Sequence, residues 1–294
     1  MTPSRALNGP RLDERGMILI NVLIIVLLAT SILAVILAGE QDDADRTQAL
    51  RSAAQAQATA RGAELSAVAA LRRDLAAGDV SDNPHEPWAN IGDRHARIPG
   101  GQFTFTVSDA QALFNINNLA RGDSISQANF ARIGALAELP PGDAERIGAL
   151  IALAGPIGDL ADLRASGLNE NELRRLAELC TALPKPTAVN LNTAPEPLLA
   201  VLLGNAAAAH SLMSLRARGD GLTSEQLREA SLLVPPGAGF TSDYFWARGR
   251  VTLGGTSQQL TSLLFRQVEE GRPAVHAIRR WRGAAPIEAP PLPE

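Results

Sequence analysis

An uninterrupted apolar stretch over residues 17–38 constrains the fold of this chain more than any other feature of its sequence. Only Asn21, Thr30 and Ser31 place polar side chains within it. As a helix this stretch reaches roughly 33 Å, which is enough to cross a hydrocarbon layer of about 30 Å. It therefore predicts a membrane-spanning helix close to the N-terminus.

The charges on the two sides of the apolar stretch predict its orientation. Arg5, Arg11 and Arg15 precede it, whereas the segment from Glu40 to Asp45 is acidic. Basic residues favour the cytoplasmic side, so we expect a cytoplasmic N-terminus with the bulk of the chain in the periplasm. An ordinary secretory signal has its small-residue cleavage site behind the apolar core. Here the only small residue at a plausible cut is Gly16, in front of it, so cleavage would leave the helix on the mature protein.

Composition argues against several classes of function. The net charge of −4 disfavours a large nucleic-acid surface. The single cysteine, Cys180, excludes an intrachain disulfide and lies among leucines, which predicts a buried structural thiol. The four histidines lack metal-ligand spacing, and no nucleotide or hydrolase fingerprint is present. We therefore expect no enzyme and no catalytic or cofactor-binding residues.

Behind the apolar stretch the sequence stays rich in helix formers up to Leu75, with Gly78 placed as a helix stop. This predicts one helix that continues to about residue 77. A polar, proline-containing loop is expected over residues 79–101. The segment FTFTVSD then alternates Phe103, Phe105 and Val107 on one face, as a half-buried strand does.

Two asparagine-rich motifs, ALFNINNLA and TAVNLNTAPEPLLAVLL, bracket a helical region. Helices are predicted over residues 127–139, 143–154, 159–165, 170–183, 196–203 and 206–217. Asn169 and Glu172 form a predicted capping box for the fourth of these helices. Asn192 or Thr193 is expected to cap the fifth.

The last segment changes to strand periodicity. FTSDYFWARGRVTLGG, SQQLTSLLFRQVEEG and AVHAIRRWRG predict three strands with turns at residues 254–255 and 271–273. Residues 256–268 also fit a helical pattern, so helix and strand both stay open for the middle segment. Residues 283–294 form a proline-rich tail, which we expect to be disordered and outside any packed core.

The order of these elements predicts an α+β fold. A long N-terminal transmembrane helix is followed by an antiparallel sheet, and an all-α domain is inserted between the first strand and the remaining ones. We expect the inserted helices to resemble SAM or helix-hairpin-helix domains.

Four segments carry a resemblance to a known family: RGMILINVLIIVLL, FTFTVSDAQALFNINNL, VNLNTAPEPLLAVLL and FTSDYFWARGRVTLGGTSQQLTSLLFR. In this order they resemble the type II secretion minor pseudopilin K family, also called general secretion pathway protein K. The resemblance implies a pilin-like head over residues 79–118 and 237–282, with the inserted domain over 119–236. The helical region is shorter than in the family and lacks the Trp-and-Asp segment expected after Leu153.

For the N-terminus the resemblance implies a leader peptide over residues 1–16. A prepilin peptidase would cut between Gly16 and Met17, and Met17 would be N-methylated. Most pilins carry glutamate as the fifth mature residue, where it neutralises the terminal amine of the subunit ahead. This chain has Asn21 there. A subunit at a fibre tip has no such amine to neutralise, so Asn21 is compatible with a tip position.

For function the resemblance implies a structural role in a single-pass protein of the bacterial inner membrane. The family member joins other minor pseudopilins in a tip complex, initiates assembly of the pseudopilus and limits its length, which supports export of folded proteins across the outer membrane. The expected partners are other minor pseudopilins, the prepilin peptidase and the inner membrane. No cofactor is expected. Calcium stays possible, because some relatives bind it in the head, but no loop here has the EF-hand order of ligands.

Two alternatives remain open at this point. One is an unrelated signal-anchored periplasmic protein. The other is a membrane-anchored nucleic-acid-binding protein of competence type, because the two helical repeats resemble helix-hairpin-helix elements. Such hairpins grip phosphate with backbone amides and nearby basic residues. The two candidate loops, Ala154–Gly158 and Gly204–Ala207, contain none, and Lys185 is the only lysine, so we expect no nucleic acid as partner.

Overall fold

The computed structural model describes residues 12–78, 80–219 and 221–293. The chain divides into two compact units, residues 1–52 and 53–294. Its helices are α1 (Leu12–Ala77), α2 (Ser124–Leu136), α3 (Asp143–Ala154), α4 (Glu170–Ala177), α5 (Glu196–Leu203), α6 (Ala206–Arg216) and α7 (Ser224–Glu229), with 3-10 turns at Ala110–Ala112, Ile116–Arg121 and Leu160–Ser166. Its strands are β1 (Asp93–Ile98), β2 (Gly101–Asp109), β3 (Phe114–Asn115), β4 (Cys180–Thr181), β5 (Val189–Asn190), β6 (Ala238–Gly239), β7 (Tyr244–Leu253), β8 (Thr256–Glu269) and β9 (Arg272–Arg282).

Helix α1 ends directly before Gly78, the residue predicted to stop it, which adopts a φ of +75°. In the first unit its apolar side chains from Met17 to Leu37 are exposed. In the second unit the helix is rich in alanine, and it buries Ala67 and Leu71 in a cluster with strand residues. Small side chains let a helix approach a sheet closely, so the alanines fit this contact.

The head contains a five-stranded antiparallel sheet in the order β1-β2-β7-β8-β9. One face packs against α1 through residues such as Phe105, Phe245 and Leu264. The opposite face carries Tyr244, Trp246 and Leu263, which are also buried. Both faces of the central strands are therefore covered, which explains the nearly continuous burial along β7.

One strand resolves an open alternative of the sequence analysis, and another corrects a prediction. Residues 256–269 form strand β8, which decides between the helix and the strand left open for that segment. Strand β1 lies within residues 79–101, which were predicted to be a loop, so this prediction is wrong. The sequence DRHARI has no apolar alternation, because β1 is an edge strand with a bulge between Asp93 and Ala96.

Between β2 and β7 the chain forms helices α2–α7 around a hydrophobic core of their own. The Asn169–Glu172 capping box is present at the start of α4. The predicted continuation of this helix to Leu183 is wrong, because residues 180–181 form β4, which pairs in parallel with β3. The N-cap of α5 is Pro195 instead of Asn192 or Thr193, whose side chains make other contacts.

The predicted disorder of the proline-rich tail is also wrong for the residues described. Ala289 is buried in the cluster that holds Trp246 and Leu263, and Ala285 packs against the same cluster. Glu288 is buried as well. Proline excludes regular helix and central-strand pairing, but it does not prevent an extended segment from packing on a preformed surface.

Candidate functional site

The predicted assembly region is the N-terminal part of α1. Within the described residues, one helix is long and apolar enough to cross a membrane, namely α1 from Met17 onward. Gly16 lies in the backbone of this helix, and the side chains of Met17 and Asn21 are exposed. Because Met17 and Asn21 are four residues apart in a helix, they share one face.

The hydroxyl groups inside the apolar stretch are bonded within the helix. Thr30 Oγ1 donates to the carbonyl oxygens of Val26 at 2.9 Å and Leu27 at 3.0 Å. Ser31 Oγ donates to the carbonyl of Leu27 at 2.8 Å. A polar group in hydrocarbon is costly unless it has a partner, and these bonds provide one. The two hydroxyls therefore do not argue against a lipid environment.

A second polar site lies at the end of β2, where Asp109 is buried. Its Oδ2 accepts hydrogen bonds from Thr193 Oγ1 at 2.6 Å, Ser242 Oγ at 2.7 Å and Asn190 Nδ2 at 2.8 Å. Burial raises the pKa of Asp109, and the three donors oppose that shift. The carboxylate thereby joins strand β2, the second asparagine-rich motif and the segment before β7.

The two asparagines of the second motif bond to backbone groups from distant segments. Asn190 Nδ2 donates to the carbonyl of Asp82 at 2.9 Å. The side chain of Asn192 accepts from the amide of Leu222 at 2.5 Å and donates to the carbonyl of the same residue at 3.2 Å. An amide side chain matches the donor and acceptor of a peptide group, so it can replace a missing strand neighbour.

The first asparagine-rich motif works in the same way. Asn117 accepts from the amide of Ile157 at 2.8 Å and donates to its carbonyl at 2.9 Å. Asn118 and Thr187 exchange an equivalent pair of bonds at 3.0 and 2.8 Å. Asn115 accepts from the amide of Leu183 at 3.1 Å. Both motifs thus satisfy the backbone of irregular segments and fix the helical insert to the head.

The two candidate hairpin loops have their amides occupied by side chains of the chain itself. Asn205 accepts from the amides of Ala207 at 2.8 Å and Ala208 at 3.3 Å at the start of α6. In the other loop, Asp162 accepts from the amide of Gly158 at 2.9 Å. These are the donors that a phosphate-binding hairpin would offer to its ligand.

A buried charged cluster surrounds Arg266 in β8. Its guanidinium donates to a carboxylate oxygen of Asp74 and to both oxygens of Asp82, and the Arg266 and Asp74 side chains are 7% and 6% exposed. Glu86 is the third carboxylate of the cluster and accepts from Trp88 Nε1 at 2.5 Å. Burial and the nearby charges of Asp74 and Asp82 raise the pKa of Glu86 to about 7.

This cluster is the place where the described residues bring three possible metal-ligating carboxylates together. Carboxylate oxygens suit calcium. However, Arg266 already binds two of the three groups, and its fixed positive charge would repel a cation between them. The residues present therefore fit an ion-pair cluster and do not fit a calcium site.

On the α1 side of the sheet, Glu64 is the buried counterpart of Arg280. Arg280 donates to its two oxygens at 2.9 and 3.1 Å, and Ser262 Oγ donates to it as well. Burial acts to raise the pKa of Glu64, but the hydrogen bonds from Arg280 and Ser262 outweigh burial, so the pKa is lowered. This carboxylate holds α1 to strands β8 and β9.

Cys180, His210 and His276 belong to residue types that often act in catalysis, but each has an environment typical of a structural or surface residue. Cys180 is buried in β4, and burial raises the pKa of its thiol, which makes it a poor nucleophile. His210 and His276 lie at the surface beside Glu196 at 3.3 Å and Glu269 at 3.0 Å. These pairs are ordinary solvent-exposed contacts.

The sequence analysis did not identify the polar residues that connect separate segments of the head. Glu64, Asp82, Asp109 and Arg266 are far apart in sequence and have no motif of their own. The one available signal was a charged residue at a position that the apolar period assigns to the interior. Asp109, directly after the alternating strand, and Arg266, within an apolar strand segment, both meet that description.

Comparison with models of known protein families gives no match. The chain is 28% identical to type II secretion system protein K of Pseudomonas aeruginosa, in an alignment that covers 94% of this chain and 96% of that protein. It also superposes with a TM-score of 0.61 and 21% identity on a chain from the crystal structure of the GspK-GspI-GspJ complex of the enterotoxigenic Escherichia coli type 2 secretion system. That match covers 82% of this chain and 100% of the other. The α+β fold and the family resemblance predicted from the sequence are confirmed.

Proposed function

We propose that this chain, a homologue of type II secretion system protein K, works as a minor pseudopilin of a type II secretion system. The observation that carries this proposal is the extent of the homology, which covers nearly the full length of both proteins. A shared single domain would leave the remaining parts unmatched. The exposed apolar helix and the sheet are parts that a membrane-anchored pseudopilin needs, and the inserted helices lie within the region that matches protein K.

For maturation we propose cleavage between Gly16 and Met17, followed by N-methylation of Met17. The basic leader and the position of Gly16 directly before the apolar stretch support this site. The mature protein would keep the whole apolar helix and would cross the inner membrane once, with its bulk in the periplasm.

The inserted helical domain supports a position at the tip of the pseudopilus. Asn115, Asn117 and Asn118 hold irregular segments of the insert by pairs of hydrogen bonds, so the insert moves with the head. A subunit inside a tightly packed helical shaft has neighbours ahead and behind, and added bulk collides with them. At the end of the shaft this constraint is absent on one side. From the tip the subunit would initiate assembly and limit length.

As partners we propose other minor pseudopilins. This proposal is supported by the structural neighbour, which comes from a solved complex of GspK with GspI and GspJ. The apolar surface of residues 17–38 offers van der Waals packing to partner helices in the membrane. No reaction is required for this role. A nucleic-acid function is less well supported, because the amides of both hairpin loops already bind Asn205 and Asp162.

The tip proposal is tested by restoring the carboxylate with Asn21→Glu in the full chain, co-expressed with the other pseudopilins of its system. The wild-type chain should co-purify with the other minor pseudopilins and be absent from the shaft. Asn21→Glu should keep that association and add no shaft incorporation, because the insert still blocks stacking. Incorporation of Asn21→Glu along the shaft would contradict the tip position. Failure of the wild-type chain to associate with any minor pseudopilin would contradict the function itself.

A further inference from the structure

The proline-rich C-terminal segment occupies a specific surface of the head. Residues 284–293, here called the tail, form one wall of a cavity of ≈ 450 Å³. The opposite wall includes Ala110, Leu113 and Trp246. We call this surface, together with the neighbouring Arg248, the tail groove. It lies on the sheet face that does not contact α1.

Three kinds of contact hold the tail in the tail groove. Ala289 is buried beside Trp246, and Ile287 packs against the core of the helical insert. Arg248 Nη1 donates to the carbonyl of Ala289 at 3.3 Å and to the carbonyl of Pro290. A proline-rich segment loses little entropy when it docks, and its unpaired carbonyls are free to accept such bonds.

Arg248 is a buried charged residue that depends on the tail for hydrogen-bond acceptors. Its side chain lies within the sheet face, the residue is 8% exposed, and its third partner is the hydroxyl of Thr261 at 3.2 Å. Among the described residues no carboxylate forms an ion pair with it. Without the tail, a buried guanidinium would lose its carbonyl partners, and an unpaired buried charge is costly. The groove is thus built around carbonyl acceptors from an extended segment.

Glu288 brings a buried carboxyl group into the same contact. The residue is 4% exposed, and its Oε2 has no hydrogen-bond partner among the described residues. The charged groups around it come from several elements: Asp159 before the 3-10 turn, Arg279 in β9, and Asp109, Arg174 and Glu178 around the cavity. Burial removes the carboxyl group from water and leaves Oε2 without a donor in the described part of the chain, so a negative charge at Glu288 is unfavourable.

We propose that the tail groove is a peptide-binding site for an extended, proline-rich segment that carries a carboxyl group, that the chain's own tail is its occupant, and that this occupant is released as pH rises. Nothing in the secretion role requires this site, so it stands or fails separately. The docked tail would connect the sheet to the helical insert at low pH, and this connection would be lost as the pH rises.

The direction of the pH effect follows from Glu288. Burial, with a contribution from Asp159, raises the pKa of its carboxyl from 4.5 to about 7 in the docked tail. The docked tail therefore retains its proton over a range in which the free tail has lost it. Docking is strongest below about pH 4.5, weakens as the pH rises towards 7, and stays weak above that value.

A trans-binding experiment tests the site. A truncated chain that ends at Gly283 is kept in detergent and titrated into a fluorescein-labelled peptide of residues 284–294. Fluorescence anisotropy of the peptide measures binding. We expect saturable binding at pH 5.5 that is at least about tenfold weaker at pH 8. The complete chain should bind this peptide much less, since its own tail fills the groove. A Glu288→Gln peptide should bind with an affinity independent of pH.

Matched variants and a second readout keep the test decisive. Arg248→Leu should weaken peptide binding about tenfold, whereas Arg250→Leu, at an exposed position of the same strand, should leave it unchanged. In the complete chain, a nitroxide at Leu292→Cys should be immobile at pH 5.5 and mobile at pH 8, and the buried Cys180 should not react with the label. No saturable binding by a truncated chain that keeps its thermal transition overturns the proposal, as does a nitroxide spectrum that does not change with pH.

Discussion

One helix, α1, carries two opposite kinds of surface. Residues 17–38, the outer segment, are apolar on all sides and exposed, with Leu27 at 62%. Residues 53–77, the packed segment, are rich in alanine and bury one face, where Leu71 is 0% exposed. Both segments are α-helical, so they differ in their side chains and in what those side chains contact. In the proposed function the outer segment contacts lipid and partner helices, whereas the packed segment stabilises the head.

The largest expected effect belongs to the beginning of the outer segment. With the proposed cut between Gly16 and Met17, Gly16→Ala should block removal of the leader, because it adds a methyl group next to the bond that is cut. Mass spectrometry of the membrane-bound chain should then show the full-length form in place of one lacking residues 1–16. Secretion supported by the chain should be lost with it.

Gly39→Ala is the matched control for this effect. Gly39 lies in the same helix, and nothing lies within 4 Å of a Cβ built there. It should therefore be processed normally, with helix stability unchanged or raised by about 1 kcal/mol. Normal processing of Gly16→Ala would show that the cut lies elsewhere, and the outer segment would then lose its defined first residue.

The second effect separates the two segments by stability. Leu71→Ala leaves a cavity in the cluster that holds Trp88 and Phe245, and it should lower the free energy of unfolding of the head by about 2–5 kcal/mol. Leu65→Ala, six positions earlier and 60% exposed, should cost less than about 1 kcal/mol. Near-UV circular dichroism during thermal unfolding measures both. Equal losses would show that the packed segment has no buried face.

The two segments also differ in how well the sequence predicts them. The outer segment is predicted directly from the sequence, because a membrane-spanning helix needs a continuous run of predominantly apolar residues and this stretch provides one. The length of α1 and the position of strand β2 likewise follow from local signals, such as Gly78 and the alternation through Phe103 and Phe105. These features depend on residues that are close together in the chain.

The features that the sequence did not predict depend on contacts between distant residues. Strand β1 is defined by its pairing with β2, and β4 by its pairing with β3. The tail is ordered by Trp246 and Arg248, which lie about forty positions earlier. The polar cluster around Asp109 likewise unites four separate segments. Composition and period describe one segment at a time, so such contacts stay invisible until the fold brings them together.

The smallest of these effects tests whether the packed segment, unlike the outer segment, makes stability depend on pH. The outer segment has no ionisable side chain between Met17 and Gly39. Glu64, in the packed segment, has a lowered pKa, so its contribution is present above its ordinary value of 4.5 and is lost as the pH falls through the folded-state value. Glu64→Gln removes the charge that Arg280 and Ser262 bind, at nearly constant volume.

We expect Glu64→Gln to lower the free energy of unfolding by about 1–3 kcal/mol at pH 7, and we expect the difference from wild type to shrink as the pH falls below 4.5. Urea unfolding of the full chain in detergent at pH 7 and pH 3.5 measures both values. Glu225→Gln, which breaks the exposed pair with Arg228, is the control and should change stability by less than about 0.5 kcal/mol. A Glu64→Gln deficit of the same size at both pH values would mean that shape, and not charge, makes Glu64 necessary to the packed segment.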